Sequence, residues 1–203
     1  ELDINGETTE VTEAVGKARP ACIVVNDDDL TYTKLRFDNE SLEFAANNLG
    51  RFQDALTRSI IWLSLWDMTR DAQFPAQDFI KISLQALSTE RESTTLRYVL
   101  NQIHTTAWHY VYPAQREQVV ASAAASLWTL ANNAAAGSDE QFQFISAYLR
   151  FGEVGDTQFA THVQGLLDGS ITLAKLKVDN NFKWTLIQAL SAICVIDDAD
   201  IQK

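Results

Sequence analysis

A mainly α fold, built of stacked helical hairpins and led in by a short β segment, is what this 203-residue sequence predicts. Three observations carry that expectation. In residues 21–38, ACIVVNDDDLTYTKLRFD, Val24 and Val25 run into an acidic turn, after which Thr31, Thr33, Leu35 and Phe37 alternate with Tyr32, Lys34 and Arg36. From Asp38 onward the hydrophobic period changes from that of a strand to that of a helix. Proline, glycine and capping residues then separate the helical segments from one another.

Residues 1–37 read as β structure. Leu2 and Ile4 alternate ahead of the turn dipeptide Asn5-Gly6, a second short segment spans residues 9–15, and two strands meet at Asn26 to Asp29. Helices are expected over 39–49, 54–69, 75–87, 90–110, 113–135, 138–151, 156–167 and 179–196. Pro75 and Pro113 suit a first helical turn, where a missing amide hydrogen costs nothing. Thr89 with Glu92, and Ser138 with Gln141, have the spacing of a capping box, and Gly137 fits the left-handed position that closes a helix.

In the fourth helix Leu96, Val99, Leu100, Ile103, Ala107 and Val111 share one stripe, as do Val119, Ala123, Leu127 and Leu130 in the fifth. The second helix is apolar nearly all round, with Leu56, Ile60, Ile61, Trp62, Leu63, Leu65 and Trp66, and is expected between neighbours. Short links between such helices imply antiparallel hairpins, stacked as an α-solenoid or an irregular bundle. No sequence repeat or long linker is evident, so the β piece and the helices are expected to pack together.

The composition bounds the function. With 46% hydrophobic residues, 10% aromatic residues and five tryptophans, the chain buries a core rather than staying disordered. A net charge of -11 disfavours nucleic acid and anionic membranes as partners. Residues 1–30 concentrate carboxylates (Glu1, Asp3, Glu7, Glu10, Glu13, Asp27, Asp28, Asp29) against Lys17 and Arg19, which reads as a solvated edge. Cys22, in an expected buried strand, and Cys194, in a late apolar helix, lack CxxC spacing and read as reduced buried thiols, so a cytoplasmic location is expected. The longest apolar run, residues 60–66, falls short of a membrane span. The absence of an initiator Met and the stop at Ile201-Gln202-Lys203 lead us to expect a piece of a longer polypeptide.

A search for chemistry finds no catalytic residues and no metal ligands. His104 and His109 are five residues apart, about 140° around a helix, whereas zinc ligands on one helix need a spacing of three or four. His162 stands alone, and all three histidines read as locally hydrogen-bonded imidazoles. Asn26 to Asp29 lacks the alternating ligands of a calcium loop and reads as a turn whose side chains bond the local backbone. Asp67, Arg70 and Asp71 read as ion pairs closing a helix, and Trp62, Trp66, Trp108, Trp128 and Trp184 as core packing. Phosphate-binding glycine loops and nucleophile elbows are absent.

VVNDDDLTYTKLRFD, the following RFQDALTRSIIWLSLWDMTRDAQFPAQDFIKISLQAL and the acidic STERE step together resemble the C-terminal part of bacterial aminopeptidase N, in particular its actinobacterial form. The resemblance covers nearly the whole chain and is most specific from Val24 to Glu90, including Arg58; beyond that it rests on pattern and length. It implies a gluzincin zinc metallopeptidase parent, in which residues 1–37 are the tail of a β-sandwich domain. Residues 38–203 are then the first part of a HEAT-like helical cap that encloses the peptide chamber. The HExxH motif, its third Glu ligand and the GxMEN motif are absent from this sequence, so no catalytic, zinc or substrate role passes to any residue here.

The function expected is thus that of a non-catalytic C-terminal domain that limits access to a zinc-dependent, peptide-clipping chamber. Its partners would be the catalytic domain of the same polypeptide and, in the parent, peptides. The rival is a stand-alone α-solenoid that binds protein or peptide on a concave face. That rival needs polar terminal helices, whereas Ala192, Ile193, Val195 and Ile196 look set to pack on something further. An independent hydrolase is the weakest alternative.

Overall fold

The computed structural model describes residues 2–4, 6–152 and 157–196. Eight α-helices fill it among the described residues: α1 (Asn39–Asn48), α2 (Ala55–Arg70), α3 (Ala76–Leu87), α4 (Ser93–His109), α5 (Pro113–Asn133), α6 (Asp139–Leu149), α7 (Thr157–Asp168) and α8 (Asn180–Ala192). Each begins or ends within a few residues of its expected place. Asp156, Asn5 and the terminal residues 197–203 lie outside the described residues.

The starts follow from capping chemistry. Asp38 accepts from the backbone amides of Glu40 and Ser41 at 3.1 and 3.0 Å, Asp54 from Thr57, and Asp179 from Phe182. Each satisfies amides that the first helical turn leaves without a partner. Pro113 occupies the first turn of α5 as expected, but Pro75 stands one residue before α3, in extended conformation. Ser138 caps α6 through the Gln141 amide at 3.1 Å, and Gly137 adopts φ +76°. The return bond falls one residue early, since Gln141 Oε1 accepts from Gly137 N at 2.8 Å rather than from Ser138.

One expected cap is wrong. Thr89 does not start α4; its hydroxyl donates to the Ala86 carbonyl at the end of α3, while Glu92 itself accepts from the amides of Thr94 and Thr95. A carboxylate with two oxygens serves both amides at once, which a threonine hydroxyl cannot.

The helices pack in sequence-neighbour pairs, α3 on α4, α5 on α6 and α7 on α8. Across the pairs, α2 meets α4, α4 meets α6 and α6 meets α8, while α3 meets α5. The even-numbered helices thus form one row, backed by α3 and α5 on the other side. A continuous core from Ala45 through Trp62, Phe79, Leu96, Ile103, Leu127 and Ile145 to Leu190 ties the pairs together. The α4 stripe is buried throughout, whereas on α2 Leu56 and Leu63 are exposed, so that helix is covered on fewer sides than its sequence implies. Trp62 is fully buried, but Trp184 is about half exposed, at 53%, and is not a core residue.

The β segment is the main correction. Among the described residues no β-strand forms, and residues 9–15 instead contain a 3₁₀ turn, Thr12–Ala14. Residues 22–25 and 31–37 are extended arms on either side of the acidic turn, but no backbone ladder joins them. Pairing that would turn an extended arm into a strand requires a neighbouring edge, and among the described residues no segment forms a ladder with these arms. Cys22 and Val24 pack toward the helical core, whereas Ile23, Val25, Leu30 and Tyr32 face outward. Cys194 is also misplaced by the sequence, since α8 ends at Ala192 and Cys194 is exposed with φ +57°.

Candidate functional site

Four polar connections hold the turn, the extended arms and the helix starts in place. Asn26, in the left-handed conformation, holds the acidic turn by pairing its side-chain amide with both backbone groups of Thr31, donating to the carbonyl and accepting from the amide at 2.8 Å each. The side chain replaces one backbone rung, in agreement with the turn expected from the sequence. Asp27, Asp28 and Asp29 assemble no ligand shell, and among the described residues no group of three or more His, Cys, Asp or Glu side chains is set to hold a metal ion.

Asp71 is the second connection. It receives Lys34 Nζ at 3.0 Å and also the Arg36 guanidinium, two cations on the same side of the second arm. Asp67 and Arg70 form the expected pair along the helix at 3.7 Å, but Asp71 turns away to the arm instead. Lys34, with Arg36 and Arg70 nearby, pulls the Asp71 carboxyl below its ordinary range. At the other arm Arg19 binds Asp38 and Glu40, and Ile23 N donates to Ser41 Oγ at 3.0 Å. Burial pushes the Cys22 thiol upward, aided by the nearby Asp38 charge.

Buried beneath the helix starts is an ion pair between Arg58 of α2 and Glu90, in which Glu90 is 2% exposed and Arg58 14%. Each nitrogen of the guanidinium donates. Arg58 Nη1 donates to the carbonyls of Phe52 and Gln53 at 2.9 Å, and Glu90 Oε1 accepts from the amides of Arg91 and Glu92 at 2.9 Å. Burial alone would raise the Glu90 pKa, but the Arg58 guanidinium and the two amides outweigh it and hold the carboxyl below its usual range. The sequence marked both residues only as landmarks; an arginine just ahead of the apolar run Ile60 to Leu63 was the signal of a partner.

The histidines sit apart. His104 packs edge-on against Phe151 at 5.4 Å, and burial followed by the Arg150 charge lowers its pKa. His162 stacks flat on Trp128, 3.9 Å between centroids and 6° between planes, while its Nδ1 meets the Tyr148 hydroxyl at 2.9 Å. Nothing in the spacing of the sequence foretold that cluster, which draws on α5, α6 and α7. A separate groove of about 780 Å³ runs between α3 and α5, over Ile80, Leu84 and Val119, and is bridged by Gln77 and Gln115 at 2.6 Å.

The architecture is therefore that of an all-helical domain whose polar connections are structural, with extended arms that present apolar side chains outward. The chain belongs to the ERAP1-like C-terminal domain family, whose model matches residues 22–203. It is 34% identical over 193 residues to an aminopeptidase N of Streptomyces lividans, an alignment covering 95% of this chain and 22% of that protein. The match begins at Cys22. These likenesses agree with the resemblance drawn from VVNDDDLTYTKLRFD and the sequence after it. No helix among the described residues is long and apolar enough to cross a membrane.

Proposed function

We propose that this chain is the non-catalytic C-terminal part of a zinc-dependent aminopeptidase, closing the chamber in which peptide N-termini are clipped and limiting which substrates enter it. The observation that carries the reading is the 34% identity to an aminopeptidase N that runs through 95% of this chain yet spans 22% of the relative. A stretch of that kind is a domain of a larger enzyme. The catalytic zinc would be held by other residues of the parent, which would polarise the scissile carbonyl and activate water there. This chain supplies walls. Its two rows of helices act as an irregular HEAT-like solenoid, and rigid walls exclude bulk water and folded polypeptides from the reacting bond.

The domain boundary falls between residues 37 and 38 in this reading, with residues 1–37 completing a β-sandwich of the parent. The outward Ile23, Val25, Leu30 and Tyr32 support that, because exposed apolar side chains in a row call for cover from a further element. The partners are the catalytic domain of the same polypeptide and peptide substrates, and the location is cytoplasmic.

The test compares the 203-residue chain with the full polypeptide that carries it, on aminoacyl chromogenic substrates with and without a zinc chelator. Chelator-sensitive activity is expected in the full polypeptide, with short peptides cleaved and folded proteins of the same N-terminal sequence spared. Activity in the chain by itself, or equal cleavage of folded and short substrates, would overturn the proposal.

A further inference from the structure

A second feature lies away from the arms, where α5, α6 and α7 leave a partly enclosed cavity of about 190 Å³. Its walls are rings. Trp128 comes from α5, Tyr148 from the last turn of α6, Phe151 from just beyond that helix, and Phe159 and His162 from α7. The rings already touch one another in tilted or stacked pairs, Trp128 to Tyr148 at 5.2 Å and Tyr148 to Phe159 at 5.0 Å, so the walls are rigid.

The space exists because of what faces the rings. Ala121, Ala124 and Ala125 stand along α5 where a larger side chain would fill the gap. On the α6 side Gly152 lets the Phe159 ring close in as a wall, since a Cβ there would lie 2.0 Å from that ring. A single water needs about 10–15 Å³ of such space, whereas an apolar cavity of about 150 Å³ takes up benzene. No aspartate, glutamate, lysine or arginine lines the cavity, so a charged guest would lose its hydration without gaining a counter-charge.

We propose that this cavity is a binding site for an uncharged planar aromatic group of benzene to indole size, entering past Ala125 and packing against the Trp128 and Phe159 rings. The group comes either from a free small molecule or from the side chain of a peptide. This site is independent of the peptidase reading, because it rests on the volume and its walls alone.

The test follows the Trp128 indole N–H and the Gly152 amide by two-dimensional NMR of the 203-residue chain. The chain is titrated with indole, N-acetyl-L-phenylalaninamide and tetramethylammonium. Saturable shifts with either aromatic probe are expected at a Kd of about 1 mM or below, the range open to a ligand of this size. Saturation by the capped amino acid alone assigns the group to a peptide, and saturation by indole alone to a free molecule. Ala125→Leu fills the entrance from an exposed position and is expected to weaken binding at least about tenfold while leaving the spectrum of the fold intact. Absence of saturation with both aromatics, unchanged binding in Ala125→Leu, or tighter binding of tetramethylammonium would each overturn the proposal.

Discussion

Arg58 grips Glu90 through two parallel hydrogen bonds of 2.9 Å, Nε to Oε2 and Nη2 to Oε1, across 32 residues of chain. The same guanidinium holds the loop before α2, and the same carboxylate holds the turn before α4. One pair therefore sets the spacing of two helix starts.

Removing either half leaves a buried charge and its neighbours without partners. Glu90→Ala and Arg58→Leu are each expected to cost about 3–5 kcal/mol in urea unfolding, while the double replacement by apolar residues is expected to recover part of that loss. A loss under about 1 kcal/mol in both single variants would mean that solvent reaches the pair and that it contributes no more than a surface bridge.

Glu92 gives a sharper acid response. Its bonds to the amides of Thr95 and Thr94 lower its pKa from 4.5 to about 2. A carboxylate with a depressed folded value stabilises fully above its unfolded value and loses that contribution as pH falls through the folded one. Stability is thus expected to drop between about pH 4.5 and pH 2, and Glu92→Ala to cost about 1 kcal/mol at neutral pH. A titration of unfolding free energy that is flat over this window in the wild type and matches Glu92→Ala would refute the capping role.

His104 works in a higher window. Burial, and then the Arg150 charge, favour its neutral form, and its other charged neighbour is His109. The unfolded chain consequently binds the proton first on acidification, so stability is complete above about pH 6.5 and declines below it as the folded value is approached. His104→Phe keeps a ring against Phe151 and is expected to shrink the difference in Tm between pH 8 and pH 5. An undiminished difference would place the acid sensitivity elsewhere.

Asp71→Asn tests the hold on the second arm. Losing the carboxylate releases Lys34 and Arg36 together, and trypsin is expected to cut at these two residues faster than in the wild type, with cleavage elsewhere unchanged. Equal rates at both sites would show that Phe37 and the packing beneath the arm suffice to hold it.

The helices were legible because their signals are local. The stripe from Leu96 to Val111, Pro113 at a first turn and the Ser138 cap each state their structure within a few residues. The strands were not, because alternation at Thr31 to Phe37 describes a surface that a sheet would use, whereas pairing depends on an edge outside the segment. Long-range choices escaped for the same reason. Asp71 had Arg70 beside it in sequence and took Lys34 and Arg36 instead, and the ring cavity joins residues of three helices that share no motif.

The outward row of Ile23, Val25, Leu30 and Tyr32 bears on how the separate chain behaves in a tube. Uncovered extended arms are templates for copies of themselves, and what keeps copies apart is the mutual repulsion of chains carrying a net charge of -11. Salt weakens repulsion and leaves apolar contact intact. The separate chain is therefore expected to precipitate more readily as sodium chloride is added, contrary to the usual practice of salting a sticky protein into solution.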